Sequence, residues 1–138
     1  QDPFADCGVY FGSQYVHKTT DCGKSWTIIS PDLTTNDTVK QKESAVTGGL
    51  TKDVTNAENF TTLTVIAPSP VDKEVVWAGS DDGRLHVTKD GGKNWTNLAN
   101  KLPGYAKGSW IPQIEVSPHN KGEVFVVVND YRRNNYQP

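Results

Sequence analysis

Two adjacent carboxylates, Asp81 and Asp82, stand in the string S-D-D-G-R from Ser80 to Arg84, and a second polar corner stands at Ser13, Gln14 and Tyr15. Carboxylates in a loop can move protons, and polar side chains such as Gln14, Tyr15 and Arg84 can hydrogen-bond a ligand. The D-D-G string is also ordinary hairpin-turn chemistry, in which Asp accepts backbone N–H groups and Gly takes a positive φ. His17 and His86 each lie two residues before a Thr, Thr19 and Thr88. That recurrence points to packing or a repeated hydrogen bond rather than to metal ligation. Cys7 and Cys22 are the only cysteines, too few for a four-ligand metal site, and neither an H-E-x-x-H nor an EF-hand spacing occurs. No metal and no cofactor is expected.

The elements that must position these residues are marked by a repeated octet. Thr19 to Trp26 reads T-T-D-C-G-K-S-W, and Thr88 to Trp95 reads T-K-D-G-G-K-N-W, so both fit T-x-D-x-G-x-x-W. Asp21 and Asp90 can accept backbone N–H groups of their own turns, Gly23 and Gly92 can supply positive φ, and Trp26 and Trp95 can carry a large apolar surface into the following strand. Around the octets the chain reads as strands. Residues 8–30 form a three-stranded meander, 60–98 four strands, and 110–130 two more. The run V-F-V-V-V from Val124 to Val128 reads as a strand covered on both faces. Trp77 and Trp110 offer stacking surface but read as core. Residues 31–59, rich in Thr, Asn, Asp and Lys, read as a long loop insertion. The Ser-Pro pairs at Ser69 and Ser117 recur 48 residues apart, close to the length of one blade in a repeat protein.

Both octets resemble the Asp-box, or bacterial neuraminidase repeat, of β-propellers of the sortilin-like and xyloglucanase-like type. The phrases S-P-D-L-T at Ser30, A-E-N-F-T-T at Ala57 and G-S-D-D-G-R-L-H-V-T-K-D-G-G at Gly79 resemble large secreted bacterial proteins called glycosyl hydrolases. The resemblance implies an all-β partial propeller of about two and a quarter four-stranded blades, with the remaining blades of the same propeller as partners. It implies that Asp21 and Asp90 hold peripheral turns. It also puts the opposite loops, with Gln14, Tyr15, Asp81, Asp82 and Arg84, at a ligand face. The expected function is a propeller segment that binds a protein or glycan without chemistry of its own. Part of a xyloglucanase-like glycoside hydrolase is the alternative, with Asp81 or Asp82 as one carboxylate of the pair that glycoside hydrolysis needs. A structural module in a larger assembly is the second alternative. A sialidase would need an arginine cluster, and only Arg84, Arg132 and Arg133 are present.

The 138 residues, 35% apolar and 22% charged, suit one globular domain. A net charge of −2 with scattered basic residues excludes a nucleic-acid footprint. No apolar run approaches the length of a membrane span, and no charged n-region followed by an apolar core opens the sequence. The chain opens on Gln1 and contains no Met, which reads as a piece of a longer product. It is expected to be secreted, periplasmic or on the cell surface. A hairpin over residues 8–19 would bring Cys7 and Cys22 to one edge, where a disulfide is geometrically feasible; two free thiols are the alternative. Asn36, Asn59 and Asn94 head glycosylation sequons.

Overall fold

The computed structural model describes residues 1–47 and 60–136. Among the described residues nine strands form three separate antiparallel sheets. The first contains β1 (Val9–Gly12), β2 (Val16–Thr19) and β3 (Thr27–Ile28). The second contains β4 (Leu63–Pro68), β5 (Val76–Ser80), β6 (Leu85–Thr88) and β7 (Thr96–Asn97), and the third pairs β8 (Trp110–Val116) with β9 (Val124–Asn129). Within each sheet the strands follow chain order, each paired to the next through a short turn. The first two sheets share a register at the octet: His17 faces Ile28 across β2 and β3, and His86 faces Asn97 across β6 and β7.

β5 is buried along its whole length because it has apolar neighbours on both faces. Ala78 packs with Val16, Leu33 and Leu63 toward the first sheet. Trp77 packs with Leu85, Val87, Ile111, Ile114 and Val116 toward the third. Close approach sets Gly79: a Cβ there would lie 2.6 Å from Ile111 Cγ2 and 2.9 Å from Val65 Cγ1, so only a residue without one fits. Such a core site is unforgiving, and truncating a fully buried Ile such as Ile111 typically costs about 2–5 kcal/mol.

The all-β class holds, but the partial propeller is corrected. The three sheets are separate and open, and none closes or curls into a propeller blade. Strand ladders end at each sheet's own edge strands, and the sheets are joined by side-chain packing on either side of β5 together with single hydrogen bonds, such as Leu63 N–H to the Ser13 carbonyl and Thr64 Oγ1 to the Ile111 carbonyl. The remaining blades expected as partners go with that correction, since the sheets are discrete and not arranged radially. β9 is likewise not covered on both faces. Phe125 is 70% exposed and Val127 48%, because among the described residues β8 is its only strand neighbour and only the side carrying Val124 and Val126 meets the core.

The segment 31–59 is not uniformly loop. Helix α1 (Thr38–Thr47) starts where Asp37 Oδ1 accepts the N–H groups of Val39 and Lys40, both at 3.1 Å. An Asp at the N-cap satisfies N–H groups that have no partner within the helix. Part of the insertion, residues 48–59 with Asn59 of the second sequon, lies outside the described residues. No helix among the described residues is long and apolar enough to cross a membrane.

Candidate functional site

Each octet folds into the same hydrogen-bonded turn. Thr19 Oγ1 donates to Asp21 Oδ1 at 2.7 Å and accepts the Gly23 N–H at 3.0 Å. Asp21 in turn accepts the N–H of Ser25 at 2.9 Å and its hydroxyl at 2.6 Å. The second octet repeats the set: Thr88 Oγ1 donates to Asp90 and accepts from Gly92, while Asp90 accepts from the backbone and the side-chain amide of Asn94. Hydrogen bonds from Ser25 and from Asn94 hold Asp21 and Asp90 down at about 2. Gly92, at φ 100°, lets the turn approach the Ile29 carbonyl, which a Cβ would meet at 2.5 Å. The two tryptophans part company here. Trp95 donates its indole N–H to that carbonyl at 2.9 Å and packs on the inner cluster. Trp26 is 46% exposed and rests edge-on against Phe11. An apolar seat for both is expected from the sequence, and among the described residues only the second octet's Trp packs on a neighbouring sheet.

At the opposite end of the strands the turns after β1 and β5 meet the start of β4. Leu63 donates its N–H to the Ser13 carbonyl at 2.8 Å, and Asp81 donates its own to the Thr62 carbonyl at 3.0 Å. The Thr62 N–H returns to Asp81 Oδ1 at 2.8 Å. Asp81 is 6% exposed, and burial, with Asp82 beside it, pushes its carboxyl up to about 6 against the pull of the Thr62 hydrogen bond. Asp82 is 4% exposed and accepts at Oδ2 from both the N–H and the hydroxyl of Thr35, at 2.6 and 2.7 Å, and at Oδ1 from the Ser80 hydroxyl. The two carboxylates therefore act as clamps: Asp81 grips β4 and Asp82 grips the segment ahead of α1. Gly83, at φ 82°, completes the turn, and its carbonyl accepts the Tyr105 hydroxyl.

Two clefts flank buried Phe60. One, of about 470 Å³, is lined by Ser13, Gln14, Asn36, Gln41, Thr61 and Thr62 together with Gly12 and Phe60. The other, of about 230 Å³, lies on the side of Asp82, Arg84, Lys40, Tyr105 and Lys107. The wall between them is fixed. Lys40 Nζ lies 4.8 Å and Arg132 Cζ 5.4 Å from the Phe60 ring centre, within cation–π range. Arg132 Nη1 also donates to the Asp81 carbonyl at 2.6 Å. Thr61 has φ 67°, a conformation that a β-branched residue rarely adopts, and its hydroxyl donates to the Phe60 carbonyl and accepts from Gln41 Nε2.

Of the residues singled out from the sequence, Gln14 lines the larger cleft, Asp82 and Arg84 line the smaller, and Asp81 braces Thr62 from behind. Tyr15 lines neither. It is half-buried against His17, which itself pairs with the Ser13 hydroxyl at 2.9 Å. Asn36 and Gln41 lie in the 31–59 insertion, which the resemblance also put at the ligand face, whereas Phe60, Thr61 and Arg132 were not singled out for a site. Phe60 alone carried a signal, as an aromatic residue inside a polar stretch. Cys7 and Cys22 form a disulfide, Cα–Cα 4.5 Å, at the open end of the β1–β2 hairpin. No group of His, Cys, Asp and Glu among the described residues could hold a metal ion.

No protein-family model matches the chain, and none of the curated proteins matches it. Among solved structures the chain is similar to the crystal structure of an ancestral GH74 enzyme, at 18% sequence identity and a TM-score of 0.56. The likeness covers 93% of this chain and 13% of that one, so the chain spans a small fraction of the length of the protein it resembles. At that identity the likeness concerns the fold alone. The family expected from the octets is thereby corrected to a distant, partial likeness to a GH74 enzyme fold. The functions that stood on it fall as well: the protein- or glycan-binding propeller segment, the xyloglucanase-like hydrolase part and the structural assembly module.

Proposed function

We propose that the loop end of the sheets is a binding site for a small ligand with an uncharged, hydrogen-bonding body, seated in the larger cleft beside Phe60. The observation that carries this reading is a set of unspent amide groups around a cleft whose floor is held at Phe60 and Thr61. Among the described residues the side-chain amide of Gln14, the Asn36 Nδ2 and the Gln41 Oε1 make no hydrogen bond, while their neighbours Ser13, Thr61 and Thr62 are tied into the frame. No charged side chain is among the described residues lining this cleft. A cleft whose floor is already ordered leaves less to be ordered on binding.

Asp81 and Asp82 serve this site by position. Their carboxylates are occupied in holding Thr62 and Thr35, so altering them loosens the cleft rather than removing a contact to the ligand. The fold-level likeness to a GH74 enzyme brings no activity with it. The Cys7–Cys22 disulfide supports an oxidising compartment, and with it a secreted, periplasmic or cell-surface location. Ligand-observed NMR with succinamide, glycerol and N-methylacetamide tests the reading. Saturation transfer to at least one probe, lost in a Gln14→Ala/Gln41→Ala double variant that keeps its melting temperature, is the expected result. Transfer undiminished in that variant, or no transfer to any probe, rejects it.

A further inference from the structure

The smaller cleft on the far side of Phe60 differs from the larger in charge. Arg84, Lys40 and Lys107 line it, with Asp37 and Asp82 as the acidic members. The three cations outnumber the two acids, and the acids make hydrogen bonds of their own. Asp82 spends both oxygens on Thr35 and Ser80, and Asp37 Oδ1 caps helix α1. Arg84 is half-buried in the wall of this cleft, and its backbone is fixed at the turn by its N–H to Ser80 Oγ at 2.9 Å and its carbonyl to the Ser80 N–H at 3.0 Å. Among the described residues its guanidinium makes no hydrogen bond and no ion pair. Arg132 and Arg133, by contrast, spend their guanidinium groups on the Asp81 carbonyl and on Asp130, Ala106 and Lys107.

From this we infer that the smaller cleft holds a carboxylate of the ligand, gripped by Arg84 with Lys107 at the rim. A half-buried guanidinium is a planar fork matched to a carboxylate, and partial burial makes the charge-assisted pair stronger than it would be in open solvent. Phe60 lines both clefts, which makes the two sites neighbours. The inference rests on the reading of the larger cleft and adds a charge to it: the ligand is a small monoanion, neither neutral nor cationic.

Succinamate and succinamide differ only in having a carboxylate where the other has an amide, and their affinities for the intact protein isolate the charge. Titration followed by amide chemical shifts is expected to give succinamate an advantage of about tenfold, as a single charge-assisted pair supplies. Arg84→Gln should erase the advantage, and Lys107→Gln, at an exposed rim position, should reduce it about two- to threefold. Raised salt should shrink it as well. Equal affinities in the wild-type protein, or an advantage that survives in a folded Arg84→Gln, overturn the inference. The two proposals fail separately. Succinamide binding that depends on Gln14 and Gln41 without any gain for succinamate removes only the carboxylate site. Binding of succinamate alone, through Arg84, removes the uncharged cleft. Binding of neither removes both.

Discussion

Asp82 and Thr35, 47 positions apart in the chain, are joined twice at one carboxylate oxygen, by the Thr35 N–H at 2.6 Å and its hydroxyl at 2.7 Å. This is the link that fastens the segment leading into α1 onto the turn between β5 and β6. Removing a buried acceptor leaves its donors without partners, so Asp82→Ala should cost about 2–4 kcal/mol in urea unfolding. Thr35→Val, which keeps the backbone bond and loses the hydroxyl, should cost about 1 kcal/mol. Equal costs would mean that the carboxylate contributes nothing beyond the hydroxyl contact.

Asp81 and His86 impose opposite pH dependences. The Asp81 carboxyl is pushed by burial to about 6, above its ordinary 3.8, so the folded state keeps a proton that the unfolded chain gives up. Its contribution is full below about 4 and is lost as pH rises through about 6. Burial, and then Arg84, depress His86 from 6.5 to about 4, so its contribution is full above about 6.5 and is lost as pH falls toward 4. Between pH 4 and 6 the two largely cancel. Asp81→Asn should therefore expose the His86 slope, with stability rising from pH 4 to 6.5. His86→Gln should expose the Asp81 slope, with stability falling from pH 4 to 6. Each slope is on the order of 1–2 kcal/mol once solvent screening is allowed for. Thermal melts across that range show whether the signs are as stated; parallel profiles for both variants would contradict the account.

The octet tryptophans should differ although their motifs are the same. Trp95→Phe gives up the indole N–H to the Ile29 carbonyl and part of a packed ring, and should cost about 1–2 kcal/mol. Trp26→Phe, at an exposed ring, should stay within about 0.5 kcal/mol. Chemical denaturation of the two variants side by side decides it, and equal losses would show that the first octet has a seat as good as the second.

The disulfide closes the β1–β2 hairpin across a separation of 15 residues. Restricting a loop of that size in the unfolded chain is worth about 3 kcal/mol. A Cys7→Ser/Cys22→Ser variant, or reduction of the intact protein, should lower the unfolding midpoint accordingly. An unchanged midpoint would show that the hairpin gains nothing from the bridge.

What the sequence disclosed follows from how local each signal is. The octet turns are built from residues two and four apart, so Thr19 with Asp21 and Thr88 with Asp90 could be read directly. The turn at Asp81 to Gly83 was equally plain. The clefts were not, because their walls come from Asn36, Gln41, Phe60 and Tyr105, brought together across 20 to 47 positions by bonds such as Gln41 to Thr61 and Thr35 to Asp82. Helix α1 escaped because its K-Q-K-E-S-A run has no apolar periodicity; the Asp37 cap ahead of it was the available sign. The covered β9 was expected from its unbroken apolar run, and the radial arrangement of partial blades from repetition of the octets. A repeated turn fixes the hairpin that carries it and leaves open how separate sheets are disposed.

The central claim, a ligand seat at the loop end beside Phe60, is tested most directly by mapping which amides shift when succinamate is titrated into the intact ¹⁵N-labelled protein. Shifts gathered at Gln14, Gln41, Thr61, Thr62 and Arg84, on the two sides of Phe60, are the predicted result. Shifts confined to the exposed faces of the first and third sheets, around Phe11 and Phe125, would contradict it.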